Sequence, residues 1–397
     1  MTPDERRATV GLASIFGLRM LGMFIVLPVL ALYAETLPGG RDHALVGLAL
    51  GAYGLTQAVL QIPFGWASDR WGRKPVIVVG LVLFAAGSFL AAWAPTIGWT
   101  IAGRTLQGAG AISAAVMALA ADLTRDAVRT RAMAAIGMTI GGTFAVSLVL
   151  GPALTGIIGV PGIFVLTGIL ALGAIFLLEY AVPQPEASPA QADSAGQWRR
   201  VFADGQLLRL NYGIFALHAG LMALFVQVPF MLRENGVPST QHWLVYLPVL
   251  AASVALMFPA MMQADRPARA KRVFIGAVAT LFIGQALFAL AGASLALTVA
   301  ALVVFFTAFN LLEATLPSLI SKLAPPAVKG TATGVYSAVQ FFGAFVGAAA
   351  GGWLSQRYGP PAVFGFCLVL TGMWLAASAT MSSPPAYTSR NYSMGES

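Results

Sequence analysis

"GWASDRWGRK", residues 65–74, sits between two apolar stretches of more than about twenty residues each. Charged residues make up only 10% of the chain, yet Asp69, Arg70, Arg73 and Lys74 crowd this one turn beside Gly65 and Gly72. Apolar runs long enough to cross a bilayer recur on both sides of it. They give 58% hydrophobic residues over 397 positions and a mean hydropathy of +0.80, which excludes a soluble domain. The chain reads as an all-α membrane protein whose first partner is the lipid bilayer.

Windows of about 20 residues place twelve transmembrane helices. Six fall at 10–33, 44–66, 75–94, 97–120, 131–157 and 161–182, and six at 208–232, 241–262, 272–292, 295–320, 330–354 and 361–382. Between the sets, "PQPEASPAQADSAGQWRR" mixes Pro, Ser and Gln with charge, as solvated linkers do. The expected organisation is a six-helix bundle over 1–182, a linker over 183–207, a second bundle over 208–382 and a short tail over 383–397. Arg6 and Arg7 precede an apolar stretch too long for a signal-peptide core and lacking a small-residue cleavage site, so it reads as a retained helix.

The two halves echo each other. "DRWGRKPV" at 69–76 stands beside "DRPARAKRV" at 265–273, and "LTRDAVRT" at 123–130 beside "LAPPAVKG" at 323–330, all in loops on one side. Duplicated six-helix halves suit alternating access. Of the 23 Lys and Arg, 18 fall on the side shared by the N-terminus, linker and tail; Arg41, Arg233 and Arg357 fall opposite, and Arg19 and Arg104 lie within helices. The side rich in basic residues is cytoplasmic, so both termini and the linker are expected there.

Several function classes drop out. Basic residues in short clusters between apolar runs explain the pI near 9.9 without a nucleic-acid partner. Cys367, the single cysteine, lies in the last apolar segment, where it reads as a small buried hydrophobe and can form no intrachain disulfide. No Gly-x-x-x-x-Gly-Lys-Ser/Thr loop occurs, so ATP does not drive the protein directly. Absent clusters of His and acids in the helices speak against metal chemistry, and no metal, cofactor or enzymatic activity is expected.

Charges inside helices are rare and costly in lipid. Arg19 lies on the first helix, Arg104 on the fourth and Glu313 on the tenth, with His218 on the seventh. Gln107 follows Arg104 at i+3 and Asn310 precedes Glu313 at i−3, so each pair shares a helix face. At 1.5 Å per residue from the inner ends, Arg19 lies about 14 Å deep and Glu313 about 11 Å. Gln57, Gln61, Gln227 and Gln340 read as interhelical hydrogen bonders, and the spacings Gly47/Gly51, Gly137/Gly141 and Gly343/Gly347/Gly351 as close helix contacts.

"GWASDRWGRK" resembles the signature carried between helices two and three by the major facilitator superfamily, with Gly65, Asp69, Arg70, Gly72, Arg73 and Lys74 in its positions. "RTLQGAGA", with Arg104, Gln107, Gly108 and Gly110, is similar to the family's helix-four pattern. "LGMFIVLPVL" and "LGPALTG" resemble the helix-one and helix-five motifs of drug/proton antiporters, although Ala31 and Thr155 stand where Pro and Gly are usual. The resemblance implies the major facilitator fold of two six-helix pseudo-repeats, with helices one, four, seven and ten lining a central cavity. It also implies that Gly65, Asp69, Arg70, Gly72, Arg73, Lys74 and Asp122 form a conformational latch against the start of helix eleven, near Gly330 and Thr331. The plainer role of the loop is topogenic: Arg70, Arg73 and Lys74 hold it inside while the two glycines permit a tight turn.

The expected function is secondary transport in a bacterial inner membrane by a monomer, exporting small amphipathic substrates against proton influx. Glu313 is expected to carry the proton with Arg19 as its partner in part of the cycle, and Arg104, Gln107, His218 and Asn310 to line the substrate cavity. Because Arg104 keeps its charge throughout, an anionic or zwitterionic metabolite is an alternative substrate; a non-transporting sensor is a further one. The topology is checked by reporter fusions after residue 195, which should be active only in the cytoplasm; periplasmic activity there would invert the assignment.

Overall fold

The structure, a computed structural model, describes residues 1–184, 195–264, 266–325 and 328–381. The twelve expected segments are helical, though several are divided or fused. Helix one is two pieces, α1 (Pro3–Phe24) and α2 (Leu27–Ala34), with Pro28 in the first turn of the second. Proline lacks the N–H that would continue the ladder, so the break falls there. α3 (His43–Trp71) and α4 (Arg73–Ala92) follow, separated by Gly72 at φ 97°. Helix four divides into α5 (Ile97–Ala109) and α6 (Ser113–Asp122).

The expected fifth and sixth helices form one run, α7 (Asp126–Ala181), which reverses at Gly159 with φ 67°. A glycine takes that left-handed value without a Cβ penalty, and Pro161 restarts the helix immediately after it. Part of the expected linker, residues 185–194, and the tail from residue 382 lie outside the described residues. Pro183 and Gln184 of the expected linker are irregular, but its second part is helical: α8 (Ala195–Ala203) precedes α9 (Gly205–Glu234), whose first turn is capped by Asp204. α10 (Trp243–Ala264), α11 (Pro267–Ala291), α12 (Leu295–Leu323), α13 (Lys329–Tyr358) and α14 (Pro360–Ala379) complete the chain. Asp265, the acid of the echoed loop, lies outside the described residues.

Helices α1 to α7 pack mainly among themselves, as do α9 to α14, and the largest contact between the sets is α3 against α13. Glycines make that contact possible. A Cβ on Gly47 would lie 2.3 Å from the Ala348 carbonyl oxygen, and one on Gly352 would lie 2.3 Å from that of His43. Gly343 and Gly347 likewise admit the α9 backbone, with a Gly347 Cβ placed 2.0 Å from the Ala219 oxygen. The third expected glycine contact is absent: nothing lies within 4 Å of a Cβ at Gly137 or Gly141.

Gly347→Val should lower the melting temperature of the purified protein, because overpacking costs about 1–3 kcal/mol and the obstacle here is backbone. Gly141→Ala, with open space around it, should melt within error of wild type in the same thermal-stability assay.

Candidate functional site

The N-half charges are enclosed. Arg19 and Arg104 are each 1% exposed, and among the described residues neither pairs with a carboxylate. Arg19 sits on the core face of α1 with Leu12, Ile15, Phe16 and Met23. Its Nη2 donates to the Tyr53 hydroxyl (2.7 Å), Gln57 Oε1 (2.6 Å) and the Gly110 carbonyl (3.0 Å), and its Nη1 to Ser113 Oγ (3.2 Å). The division of helix four supplies one of these acceptors, since Gly110 lies between α5 and α6 and outside either helical ladder. Arg104 donates to Gln107 Oε1 (2.9 Å), lies over the Tyr53 ring at 5.0 Å, and has an enclosed, unpartnered Nε. Gln107 passes the chain on to Ser88 Oγ (2.7 Å).

The expected Arg19–Glu313 pairing is therefore not present in this arrangement. Arg19 points into its own half and binds Tyr53, a residue that sequence reasoning passed over. The signal was available: Tyr53 precedes Gln57 by one helical turn, and both hold Arg19.

Glu313 belongs to a second cluster. Its side chain is 32% exposed, with Oε1 3.4 Å from Gln340 Nε2 of α13 and Oε2 3.8 Å from His218 Nε2 of α9. His218 Nδ1 lies 3.3 Å from the Ile214 carbonyl, and its Nε2 lies 2.8 Å from Gln340 Nε2. A neutral ring with its hydrogen on Nδ1 fits both partners, donating to Ile214 and accepting from Gln340. Asn310 ties the same face of α12 to α10 through Ser253 Oγ (3.2 Å). Of the Gln residues expected to bridge helices, Gln340 thus proves to be part of the Glu313 cluster.

The loop at 65–74 is organised by Arg73. Its Nε donates to Asp122 Oδ2 (2.9 Å) at the end of α6, and its Nη1 to Ser68 Oγ (2.9 Å) and to Asp69. Lys74 donates to the Val182 carbonyl (2.7 Å), and Arg70 lies 5.5 Å from the Trp66 ring. Gly65 faces Ala114. All of these partners belong to the N half, and a Cβ at Gly330 or Gly334, at the start of α13, would meet nothing within 4 Å.

The opposite end is closed. Glu35, which follows α2, receives both Nη groups of Arg233 at the end of α9. His43, at the start of α3, donates its backbone N–H to Gln356 Oε1 (2.8 Å), and its Nδ1 is 3.0 Å from Ser355 Oγ. The Ser355 hydroxyl donates to Gln227 Oε1 (3.0 Å), which leaves Nδ1 as the donor to Ser355. The His43 ring stacks on Phe230 at 5.0 Å, and the Arg233 guanidinium lies 5.3 Å from the same ring. Below this clamp, Phe144 of α7 meets Phe225, Phe306 and Phe309 of the C half. An open groove of about 700 Å³ lies between α1 and the first half of α7, lined by apolar side chains with Thr9, Ser14, Thr139 and Thr143; Arg104, Gln107, His218, Asn310 and Glu313 are not in its lining.

Contacts between α1–α7 and α9–α14 close one end, while at the other the loop at 65–74 bonds within its own half and the start of α13 has open space around it, an arrangement suited to a membrane transporter. The chain matches the family model described as Major Facilitator Superfamily over residues 12–348 and 213–394, and it belongs to that family. It is 46% identical over 392 residues to the inner membrane transport protein YajR of Escherichia coli (strain K12), spanning 98% of this chain and 86% of that one. Multidrug resistance protein MdtH of Aeromonas hydrophila is 28% identical over 84% of each chain. Among solved structures, an inward-facing, occupied bacterial homologue of the lysosomal transporter Spinster superposes with a TM-score of 0.75 at 16% identity, covering 96% of this chain and 95% of that one. A D-xylose-proton symporter gives 0.73 at 18%, covering 96% and 97%.

Tyr53→Phe removes an acceptor from a buried guanidinium while leaving the ring beneath Arg104. Hydrogen bonds to charged groups contribute about 1.5–3 kcal/mol. The variant should melt measurably below wild type by thermal denaturation in detergent, whereas Tyr33→Phe, far from either Arg, should not.

Proposed function

We propose that the protein is a proton-coupled transporter that exports small amphipathic compounds from the bacterial cytoplasm by alternating access, with Glu313 carrying the proton. The observation that supports this is the division of charge. Glu313 is the acid placed midway along a spanning helix among the described residues, and it is partly open, whereas Arg19 and Arg104 are turned into the N half. The partly open charge at mid-helix depth is then an acid. An anionic or zwitterionic substrate loses its main support, because the guanidiniums meant to receive it are enclosed. A proton and a cationic or neutral amphiphile can instead use the Glu313 region in turn. Export is favoured by the name of the MdtH relatives, and an inner-membrane location by that of YajR.

In this reading the two bundles at 1–182 and 208–382 are the rocking units, both termini are cytoplasmic, and the parted end faces inward. The loop at 65–74 would close on α13 when the cavity faces outward, using Asp69 and the Arg73–Asp122 pair. In reconstituted vesicles, Glu313→Gln should reduce transport driven by a pH gradient to background while counterflow of a transported amphiphilic dye persists within about threefold of wild type, since only the proton-dependent half-cycle is lost. Undiminished pH-driven transport would remove Glu313 from the coupling role.

A further inference from the structure

Two open grooves flank α1. One, of about 520 Å³, lies between its start and the end of α7, with Arg6, Arg7, Val10, Ser14 and Leu177 in its lining. The other is the groove of about 700 Å³ along the first half of α7. Val10 and Ser14 line both, so the two join into one path from Arg6 to Leu21. At 1.5 Å per residue that path is about 22 Å long. One leaflet with its headgroup region is about 20–22 Å deep.

The path faces lipid and not the C half. On α1, Leu12, Ile15 and Phe16 are packed in the core, while Val10 and Ser14 are exposed on the opposite side. On α7, Gly142 lines the groove, whereas Phe144 meets Phe225 of the C half. Residues two apart on a helix are turned by about 200°, so these two point to nearly opposite sides. Met138, in the same wall as Gly142, is 72% exposed.

The lining changes along the path. Thr9, Thr139 and Thr143 each donate their hydroxyl hydrogen to a carbonyl of their own helix (2.7 Å), so the deeper part offers packing and no threonine donor. The mouth is basic. Arg6 is exposed, and Arg7 spends one donor on the Tyr180 carbonyl (2.7 Å), which leaves the remainder of its five N–H groups. The exposed rings of Phe176 and Tyr180 mark this as the level where aromatic residues meet headgroups. No acid neutralises the mouth: the Glu5 carboxylate is taken by Arg125 and the Thr2 N–H, and Asp4 and Glu179 are not in the lining.

We propose that this path is a binding site for one anionic phospholipid of the leaflet on the basic side, its phosphate on Arg6 and Arg7 and one acyl chain running past Val10, Ser14 and Met138 toward Leu21. The match is one of charge and length together. A basic mouth selects a phosphate without a neighbouring amine, and an apolar path as deep as one leaflet takes a chain where a compact polar solute would leave most of it empty. The bound lipid would touch α1 and both halves of α7, and so brace the N half from outside. Neither the site nor its test uses Glu313.

Native mass spectrometry of the full chain in detergent tests the site, with phosphatidylglycerol and phosphatidylethanolamine of identical acyl chains as the probes. Wild type should bind one phosphatidylglycerol about fivefold or more tightly than phosphatidylethanolamine. Arg6→Gln should weaken phosphatidylglycerol about fivefold, the effect of one basic residue at a lipid surface, and leave phosphatidylethanolamine unchanged. Gly142→Leu, whose side chain enters open space in the deeper groove, should weaken both lipids. Arg199→Gln, an exposed cation on α8 outside the path, should change neither. Equal binding of the two lipids, an Arg199→Gln loss as large as that of Arg6→Gln, or full binding by Gly142→Leu would each overturn the site. A second measurement needs no variant: phosphatidylglycerol with a diazirine in its acyl chain, reconstituted with the unaltered protein, should label α1 and the first half of α7, and labelling confined to other helices would overturn the site as well.

Discussion

The meeting of α3 and α13, backbone against backbone, is the constraint from which the rest of the arrangement follows. Gly47 and Gly352 each occupy the space that the other helix's side chains would need, so both helices approach to carbonyl distance. That approach carries His43 to Ser355 and Gln356, and it sets Tyr53 against Phe341 at 6.4 Å. Shape does the selecting here. In lipid, where apolar burial between helices gains little over contact with acyl chains, close packing of small residues and satisfaction of polar groups decide which helices stay together.

Polar satisfaction explains the interior of the N half. A guanidinium within an apolar bundle needs acceptors close at hand, and Arg19 obtains them from α3, from Ser113 and from the carbonyl exposed by the division of helix four. The broken helix is part of the charge site, because a continuous helix would have spent the Gly110 carbonyl on its own ladder. Arg104 is less well provided, with one amide oxygen and the Tyr53 ring. Burying both cations inside one half leaves Glu313, among the described residues, as the partly open charge midway along a spanning helix. Orientation, and not the number of charged residues, decides which charges are open.

The two ends of the molecule are held in different ways. At the closed end the contacts of Glu35 and His43 cross between halves: Glu35 to Arg233, and His43 to Gln356, Ser355 and Phe230. At the parted end Arg73, Asp69 and Asp122 are bonded within one half. An exposed ion pair contributes little by itself. A set of modest cross-half contacts is suited to an equilibrium that must shift in both directions, since a much stronger clamp would trap one state.

The sequence by itself determined the class of fold, because period, length and hydropathy report directly on what a bilayer accepts: the twelve segments, the side rich in basic residues and the turn at 65–74 were all legible. It also located the costly groups, Arg19, Arg104, Glu313 and His218, since such residues stand out against an apolar background. Where two readings of one helix face are possible, it could not choose. Arg19 was expected to pair with Glu313 in part of the cycle, but a helix offers several faces at the same depth, and only packing shows that in this arrangement residue 19 shares its face with the core residues Ile15 and Met23. Tyr53, Glu35 and His43 were missed because a tyrosine, a loop acid and a helix-start histidine look ordinary along the chain. Their roles depend on partners 34, 198 and 312 residues away. The Glu35 and His43 pairings are fixed by how the two halves meet, and that of Tyr53 by packing within one half; local pattern encodes neither, and the tertiary structure alone decided them.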